Sequence, residues 1–472
     1  MRNHKILLLL TDTFACLLGY LFGVIALILY SQYFEHESFL SWWKSTGLAH
    51  SLVHLLFVGI VIFRFQLKGL YSRRLPFWDE LRSILGSALY VAMSMGIVVL
   101  LAKWPFSRVV WITSWICAMF MVPLLRHFLR RFLLKKNLWQ IQITIVGVGP
   151  TALQAFKAFQ SEPGLGFVVK NFVHVTDLEA ASILPASLQV IPLNRRELTK
   201  ALGLCDFIVV ALETSDREAS QQIVEDMSLV KNEIHIVPPL MGLSLLGLEV
   251  HHFFSHEVLL MRSKNNLARI HKVILKRAFD VVVSSLLILL LSPLLFVIAF
   301  RIRRSGPGVV FVQKRVGRQG EIFSCYKFRS MVPDAESILN DLLNRDPIAR
   351  KEWEEKTKIT NDPRITPIGH FLRRTSLDEL PQLWNILKGD MSLVGPRPIL
   401  QHEVEKYGDR FKFYKIVRPG LTGLWQVSGR SDTDYTYRVH LDSWYVKNWA
   451  LWYDIAILFK TVEVVTSRKG AY

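Results

Sequence analysis

Four apolar runs fill most of the first 125 residues, and they limit what this chain can fold into. A hydrocarbon layer about 30 Å thick is crossed by roughly 20 consecutive apolar residues in a helix. Each run is close to that length, and the second reaches it when residues 51–70 are counted together. We therefore predict that the chain begins with a four-helix transmembrane bundle, built from Ile6–Tyr30, Leu52–Phe65, Ile84–Leu101 and Val109–Leu125.

Basic residues are unevenly distributed among the connections between these runs. The segments that precede the first run, join the second to the third and follow the fourth are rich in Lys and Arg, whereas Ser31–His50 contains a single lysine. Cytoplasmic loops carry the excess of positive charge in membrane proteins, so we predict that both ends of the bundle are cytoplasmic. Asp12 lies within the first run, and we expect it to reach the interface from a position near the helix end.

The sequence has a formal net charge of +18, and 51% of its residues are hydrophobic. A basic balance alone is compatible with nucleic acid, anionic lipid or phosphorylated substrates as partners. In a membrane protein much of the excess marks cytoplasmic loops, so no nucleic-acid partner is predicted. Cys16, Cys117, Cys205 and Cys325 are scattered without a C-x-x-C pair, which argues against a zinc site or a disulfide framework.

An alternation of strands and helices begins at Ile141 and predicts a Rossmann-like domain that ends near His256. Its first strand runs into a glycine turn, Gly147-Val-Gly149-Pro-Thr-Ala152, which could cradle a pyrophosphate. Pro and Ala depart from the dinucleotide fingerprint, and no acidic ribose partner follows at the expected spacing, so a structural or regulatory role is favoured. The predicted strands are Ile141–Val146, Val168–Val175, Phe207–Leu212 and Ile234–Val237.

A fifth apolar run, Val281–Phe300, is 20 residues long and has basic residues on both sides. A helix crossing the membrane here would place one basic cluster outside, against the usual charge distribution. Ser292 and Pro293 lie near the middle, where the missing N–H and the proline ring can break a helix. We therefore predict a re-entrant helix-break-helix that enters and leaves on the cytoplasmic side, with an ordinary kinked span as the alternative.

Two adjacent carboxylates, Asp378 and Glu379, lie between the arginine pair Arg373-Arg374 and a second basic corner that contains Arg397. Carboxylates can hold Mg²⁺ and can attack phosphorus, and arginine matches phosphate oxygens with a planar fork. The stretch therefore indicates chemistry on a phosphate ester or anhydride.

A structural explanation of the same stretch stays open. Ser376-x-x-Glu379 has the pattern of a helix capping box, with Asp378 in the first turn, where the helix dipole favours it. Pro381 weakens this alternative, because it would fall at the fifth helical position, where a backbone N–H is needed.

Three motifs follow one another between Lys327 and Arg430. They are K-F-R-S-M (Lys327–Met331), S-L-D-E-L-P-Q-L-W-N-I-L-K-G-D-M-S-L-V-G-P-R-P (Ser376–Pro398) and R-P-G-L-T-G-L-W-Q-V-S-G-R (Arg418–Arg430). Together they closely resemble the signature of the bacterial polyisoprenyl-phosphate hexose-1-phosphate transferases, and a weaker likeness extends over the whole chain. The longer members of that family have a non-catalytic domain of the Rossmann-like kind and a re-entrant hairpin with Ser-Pro at its turn.

These patterns divide the chain into four predicted domains of a membrane protein with mixed α and α/β structure. The four-span transmembrane bundle covers residues 1–136, and the Rossmann-like cytoplasmic domain covers 137–256. A linker and the re-entrant membrane helix occupy 257–304, and a small α/β catalytic domain occupies 305–472. Within the catalytic domain, Val309–Gln313 and Ile322–Phe328 are predicted strands, and Asp334–Thr360 is a predicted amphipathic helix.

The resemblance implies that Asp378 is the nucleophile, forming an aspartyl phospho-sugar, and that Glu379 supports a metal or handles a proton. It implies Mg²⁺ as the cofactor, with these two carboxylates as its protein ligands, and Asp442 matches a further functional carboxylate. Taken alone, each basic residue could form a surface ion pair and Asp442 could cap a helix. The residues implied to bind phosphate groups are Lys327, Arg329, Arg373, Arg397 and Arg430. Lys276, Arg277 and Asp280 match a cluster expected at the level of the lipid headgroups.

The implied reaction moves a hexose-1-phosphate from a UDP-hexose to undecaprenyl phosphate and releases UMP. The part of the chain from Trp425 onwards looks most like the galactose-1-phosphate branch of the family, and glucose-1-phosphate is the alternative. Such enzymes start O-antigen, capsule or exopolysaccharide units at the bacterial inner membrane, with the catalytic domain on the cytoplasmic side. Membrane lipid is an implied partner, and a homodimer is expected from the larger members.

Two other functions fit parts of the sequence. A membrane-anchored NAD-dependent nucleotide-sugar dehydratase or epimerase also combines four spans with a Rossmann domain, but it uses a Tyr-x-x-x-Lys pair that this sequence lacks. A non-enzymatic scaffold for polymer assembly would use the two carboxylates only as a helix cap.

Overall fold

The computed structural model describes residues 2–33, 42–104, 106–174, 189–192, 207–213, 234–238, 248–253, 256–262, 266–356, 359, 362–428 and 434–467. The chain divides into two compact units, Met1–Leu240 and Met241–Tyr472. Among the described residues, five helices are long and apolar enough to cross a membrane, judged by length and composition. Four of these helices belong to the first unit and one belongs to the second.

Four long helices open the first unit, and they agree with the apolar runs of the sequence. They bury a shared core that includes Ala15, Val61, Val91 and Trp115. Large apolar side chains on their outer faces remain exposed, as in helix bundles whose outer surface faces lipid. The helices are α1 (Arg2–Tyr33), α2 (Leu48–Leu67, preceded by a π-helical turn at Trp43–Gly47), α3 (Phe77–Leu101) and α4 (Arg108–Lys135).

Asp12 is fully buried among these helices, so the expectation that it reaches the membrane interface was wrong. Its carboxylate accepts hydrogen bonds from Arg126 Nε at 2.8 Å and from the hydroxyl of Tyr71 at 2.7 Å. Arg126 also pairs with Glu80, which in turn pairs with Arg130. A buried carboxylate without a partner is costly, and removing one partner of such a pair costs roughly 3–5 kcal/mol. The network therefore fixes the position of α1 against α4.

A five-stranded parallel sheet follows the helices of the first unit. Its strand order is β3-β2-β1-β4-β5, with α5 (Pro150–Ser161) after the first strand, an order typical of doubly wound α/β folds. The first predicted strand has the predicted bounds, and the other three begin or end within two residues of prediction. The strand at Gln189–Pro192 was missed, because it is short and ends in proline. The strands are β1 (Ile141–Val146), β2 (Phe167–His174), β3 (Gln189–Pro192), β4 (Phe207–Val210) and β5 (Ile234–Ile236).

The glycine turn after β1 is occupied by a carboxylate of the same chain. Gly147 has φ +124°, and a Cβ there would lie 2.1 Å from the carbonyl oxygen of Ala211, so glycine is required. Glu213 Oε1 accepts a hydrogen bond of 2.7 Å from the backbone N–H of Thr151, at the N-terminus of α5. A pyrophosphate would use this same donor and would meet a negative charge there. The geometry favours the structural or regulatory role over dinucleotide binding.

The first described elements of the second unit are β6 (Glu249–Phe253) and β7 (His256–Arg262), which form an antiparallel hairpin. Residue 256, where the Rossmann-like domain was predicted to end, is therefore the start of a strand, and the four domain boundaries stay predictions. β8 (Val310–Val316) and β9 (Ile322–Phe328) form a second antiparallel hairpin, and β10 (Ser392–Val394) pairs in parallel with β11 (Gly420–Thr422).

Helices of the second unit surround these strands. The helix predicted over Asp334–Thr360 is found as two helices, because Asp346 interrupts it and its Oδ1 accepts from the N–H of Ile348 at 2.8 Å, capping the second. The helices are α6 (Ile270–Arg304), α7 (Ala335–Arg345), α8 (Pro347–Lys356), α9 (Pro367–Thr375), α10 (Gln382–Lys388), α11 (Val404–Tyr407), α12 (Phe411–Tyr414), α13 (Leu424–Val427), α14 (Tyr435–Lys447) and α15 (Leu451–Ser467).

Helix α6 contains the predicted break, yet it is helical throughout, so the expected pair of helices with a turn between them is not seen. Pro293 lies inside the helix and cannot donate to the carbonyl oxygen of Leu289. The hydroxyl of Ser292 donates to that oxygen at 2.8 Å and replaces the missing hydrogen bond. This side-chain hydrogen bond explains how Ser292-Pro293 is accommodated in helical conformation. Entry and exit on one side of the membrane stay a prediction.

The cluster expected at the level of the lipid headgroups holds α6 to the rest of the second unit. Asp280 is buried and accepts from the hydroxyl of Ser392 at 2.8 Å. Lys276 forms an ion pair of 2.7 Å with the buried Asp454. Arg277 donates to two backbone carbonyl oxygens at the end of α10, at 2.6 and 2.9 Å. These side chains therefore have protein partners, and their position at the level of the lipid headgroups stays a prediction.

Candidate active site

The two adjacent carboxylates lie in a tight 3₁₀ turn, Leu377–Glu379, between α9 and α10. Ser376 does not act as the N-cap of a capping box. It ends α9 in the left-handed conformation, with φ +56°, and its backbone N–H donates to the carbonyl oxygen of Arg373 at 3.2 Å. Pro381 immediately precedes α10, where proline is well tolerated. The helix-cap explanation of this stretch was therefore wrong.

An ion pair joins the turn to β9. Lys327 Nζ donates to Glu379 Oε1 at 2.7 Å, and both side chains line a pocket with Arg315, Gln382, Arg397 and Gln426. The pairing brings the first two motifs of the sequence together, and Gln426 adds the third. Three cations therefore surround one carboxylate on the pocket wall, a charge balance suited to phosphate groups.

Asp378 and Glu379 have opposite pKa shifts although they are neighbours. Burial raises the pKa of Asp378 to about 6, and the charge of Glu379 adds to the rise. Burial would also raise the pKa of Glu379, but the positive charges of Lys327, Arg397 and Arg315 outweigh it and lower that pKa. Asp378 is thus the more basic carboxylate, and it is still mostly ionised at neutral pH. Paired groups with separated pKa values are typical of catalytic sites.

The other implied phosphate-binding residues are not all at the pocket. Arg373 Nε donates to the hydroxyl of Ser330 at 2.9 Å, and the charge of Arg373 partly offsets the pKa rise of Asp378. Arg329 donates to the carbonyl oxygens of Ile302 and Gly306, at 3.2 and 3.0 Å. Arg329 therefore caps the C-terminal end of α6 and does not line the pocket. Arg430 lies outside the described residues.

Asp442 is fully buried in the middle of α14, so it is not a helix cap. The hydroxyl of Tyr407 donates to its Oδ2 at 2.7 Å. Burial raises the pKa of Asp442 to about 7, although Tyr407, Arg438 and Arg397 act in the opposite direction. The carboxyl is therefore close enough to the basic pocket to interact with Arg397.

Several pocket residues were not identified from the sequence. Arg315 lines the pocket because β8 and β9 pair with Arg315 opposite Phe323 and Phe311 opposite Lys327, which puts Arg315 and Lys327 on one face of the hairpin. The predicted strand ended at Gln313, two residues before Arg315, so pairing the two predicted strands would not have included it. Gln382 and Gln426 lie within the recognised motifs, and Arg438 follows the third motif on α14. Their positions needed the packing of α10, α13 and α14, which no local pattern supplies.

A basic pocket at Glu379, next to a second carboxylate with the opposite pKa shift and in a unit that carries a long apolar helix, is typical of an enzyme for phosphate chemistry at a membrane. The chain belongs to the bacterial sugar transferase family, whose model matches residues 271–468.

Characterised relatives extend the likeness over most of the chain. The UDP-galactose-lipid carrier transferase of Erwinia amylovora is 44% identical over 405 residues, covering 85% of this chain and 84% of that protein. The undecaprenyl-phosphate galactose phosphotransferase of Salmonella typhimurium is 44% identical over 406 residues, with the same coverage. The UDP-glucose:undecaprenyl-phosphate glucose-1-phosphate transferase of Escherichia coli is 28% identical over 90% of this chain and 92% of that protein.

The raised pKa of Asp442 predicts a specific pH dependence of stability. Because its pKa is about 7 in the folded chain and about 3.9 when unfolded, the folded state binds the proton more tightly. This stabilising contribution is complete below about pH 4 and is lost as the pH rises through about 7. Asp442→Asn has no such proton, so the unfolding temperature of the wild type should fall relative to that of the variant across this range.

Thermal unfolding of the full chain in detergent, without donor or metal, tests this expectation. Glu405→Gln, at an exposed position on α11, is the matched control and should follow the wild type at every pH. If the unfolding temperatures of the wild type and Asp442→Asn change with pH in parallel, Asp442 is not held in the protonated form by burial.

Proposed function

We propose that this chain transfers a hexose-1-phosphate, preferentially galactose-1-phosphate from UDP-galactose, to undecaprenyl phosphate and releases UMP. The observation that carries the proposal is a pair of neighbouring carboxylates with opposite pKa shifts, of which Glu379 lines a pocket with three cations and Asp378 lies next to it in the same turn. The family and the names of the relatives with 44% identity support the reaction and the hexose. The reaction would start an O-antigen, capsule or exopolysaccharide unit.

Asp378 is the nucleophile in this proposal. Its oxygen attacks the phosphorus that carries the hexose, a bond forms between that oxygen and phosphorus, and the anhydride bond to UMP breaks. An oxygen of undecaprenyl phosphate then attacks the same phosphorus, and the bond between phosphorus and Asp378 breaks. The product is the lipid diphosphate hexose, and Asp378 is free again. Glu379 is the poorer nucleophile, because Lys327 holds one of its oxygens and its pKa is lowered. Asp378 forms no ion pair with any described residue.

The cations of the pocket reduce the repulsion between the reactants. Donor and acceptor both carry phosphate charge, and the attacking group is itself a carboxylate. Lys327, Arg315 and Arg397 offer donors around Glu379, so charge on the departing UMP can be stabilised without reorganising the site. Arg373, beside Asp378, is positioned to interact with the hexose phosphate.

The residues also fit Mg²⁺ as a cofactor. Mg²⁺ prefers oxygen ligands and is usually held by one or two carboxylates together with water and substrate phosphates. Asp378 and Glu379 supply such carboxylates, whereas no group of three or more His, Cys, Asp or Glu in the described part of the chain could hold a metal alone. When bound, Mg²⁺ would withdraw charge from the diphosphate of the donor.

We also propose that α6 is re-entrant and that the catalytic unit lies on the cytoplasmic side of the inner membrane. Both halves of α6 pack on the same unit: Phe279 and Val283 join one core, and Ile298 and Ile302 join another. Leu380 contacts both cores. A straight helix of 35 residues would be about 50 Å long, which disfavours such shared packing at both ends. In this proposal α1–α4 form the four-span bundle and β1–β5 belong to a non-catalytic Rossmann-like domain.

The two rival functions have less support. A dehydratase needs a dinucleotide, and the carboxylate of Glu213 occupies the helix N-terminus that would receive its phosphates. A scaffold needs the carboxylates only as a cap, and Ser376 makes no capping hydrogen bond.

Removing the nucleophile should abolish transfer. Asp378→Asn keeps the shape but lacks the nucleophilic oxygen, so UMP release from UDP-galactose with undecaprenyl phosphate should fall by roughly 10³-fold or more. Glu379→Gln, which loses the ion pair with Lys327, should reduce the rate by roughly 10²-fold. Asp409→Asn, at an exposed position, is the control and should retain the wild-type rate. An Asp378→Asn enzyme within tenfold of the wild type would contradict the proposed role. In that case direct transfer between the two substrates is the better mechanism.

The two ends of α6 should be accessible from one side of the membrane. Arg269→Cys and Arg303→Cys occupy exposed positions near its start and end, and Asp409→Cys reports the side of the catalytic unit. In a background without the native cysteines, all three should react with an impermeant reagent from the cytoplasmic side of sealed vesicles. Reaction of the first two from opposite sides would identify a spanning helix instead.

A further inference from the structure

Buried polar atoms without a partner in the described residues collect beside the pocket, around α13 and the start of α14. They are Arg438 Nε and Nη2, Gln426 Oε1, Trp425 Nε1 and the hydroxyl oxygen of Tyr435. Arg438 is only 9% exposed. A buried polar group without a hydrogen bond loses its water contacts without compensation, so native structures rarely tolerate several together. The cluster therefore indicates a bound group that supplies the missing partners.

The guanidinium of Arg438 is held in a defined position. Its central carbon lies 4.8 Å from the ring centroid of Trp425 and 5.0 Å from that of Tyr435. Its Nη1 lies 3.8 Å from Glu403 Oε1. The aromatic contacts and this ion pair orient one side of the guanidinium, while Nε and Nη2 stay available. Two parallel N–H groups of an arginine recognise a planar acceptor well.

The balance of charge differs between this cluster and the end of the pocket around Glu379. There, Lys327, Arg315 and Arg397 outnumber one carboxylate and favour phosphate. Here the charge of Arg438 is countered by Glu403, whose Oε1 lies 3.8 Å from Arg438 Nη1. A neutral group that accepts hydrogen bonds is thus favoured over a second phosphate. Trp425 lies between the two places, because the central guanidinium carbon of Arg397 is 5.8 Å from its ring centroid and Arg438 also contacts the ring. One ligand can therefore reach both the cluster and the end of the pocket around Glu379.

We propose that Arg438 and Gln426 form the subsite that reads the pyrimidine base of the donor as uracil. This inference rests on the proposed use of a UDP-hexose. The imide edge of uracil presents a carbonyl oxygen next to an N–H group. Arg438 Nε and Nη2 donate to the carbonyl oxygen, and Gln426 Oε1 accepts from the N–H. At C4 and N3 cytosine has an amino group and an acceptor nitrogen, so its amino group opposes the donors of Arg438 and its ring nitrogen opposes Gln426 Oε1.

Binding of UMP and CMP to the purified full chain tests the subsite independently of turnover. The wild type should bind UMP at least tenfold more tightly than CMP. Gln426→Leu and Arg438→Lys should each reduce that preference by about tenfold, because each removes one half of the pattern. The same two variants should lower the ratio of kcat/KM for UDP-galactose to that for CDP-galactose, chiefly through KM. Arg364→Lys, at a buried arginine paired with Asp362 elsewhere in the unit, is the matched control and should keep the wild-type preference.

The possible outcomes separate this proposal from the function itself. Equal affinity of the wild type for UMP and CMP, or an unchanged preference in a folded Gln426→Leu variant, would overturn the base subsite and leave the transferase intact. A changed preference between UDP-galactose and UDP-glucose, with the base preference unchanged, would assign the cluster to the hexose and likewise overturn it. Failure of the wild type to release UMP from any UDP-hexose would instead contradict the proposed function.

Discussion

The ion pair between Lys327 and Glu379 engages one of two neighbouring carboxylates, and Asp378, the other, has no ion pair among the described residues. It joins β9 to the 3₁₀ turn and commits one oxygen of Glu379 at 2.7 Å. Asp378 remains in the same turn, with a pKa raised by burial and by the charge of Glu379. The turn depends on the left-handed conformation of Ser376, which costs of order 1 kcal/mol or more for a residue other than glycine. Strain and charge are thus concentrated at the proposed nucleophile, where fixed geometry contributes most to catalysis.

The position of this site relative to the membrane depends on buried polar contacts of α6. Asp280, Lys276 and Arg277 hold the first half of the helix to the second unit, and Arg329 holds its last turn. Buried pairs of this kind contribute little net stability but are costly to separate, so they favour one docking geometry. The exposed apolar side chains near Pro293, such as Leu290 and Phe296, are then left for lipid. The second unit thus carries both an exposed apolar surface on α6 and the turn that contains Asp378 and Glu379.

The sequence predicted elements and motif residues better than it predicted side-chain contacts. The apolar runs, the bounds of β1 and β9, and the meeting of Lys327, Glu379 and Arg397 in one pocket all followed from pattern and resemblance. Arg329 is two residues from Lys327, and it points to the end of α6 instead, which motif spacing could not indicate. Asp12 was expected at the interface because no residue near it in the sequence indicated a partner. Its partner Arg126 is 114 residues away in the chain. Arg438 was missed because it is singled out by buried nitrogen atoms that have no hydrogen-bond partner, and these can be recognised only after the site has been packed.

Covalent attachment of the hexose phosphate to Asp378 is the central step of the proposed mechanism, and mass spectrometry measures it directly. The wild-type protein, mixed briefly with UDP-galactose and Mg²⁺ but without lipid acceptor and then quenched in acid, should gain the mass of one hexose phosphate. Peptide mapping should place that mass between Thr375 and Lys388, and undecaprenyl phosphate added before the quench should remove it. No added mass in an enzyme that turns over donor and acceptor together, or a mass attached at another residue, would contradict Asp378 as the nucleophile.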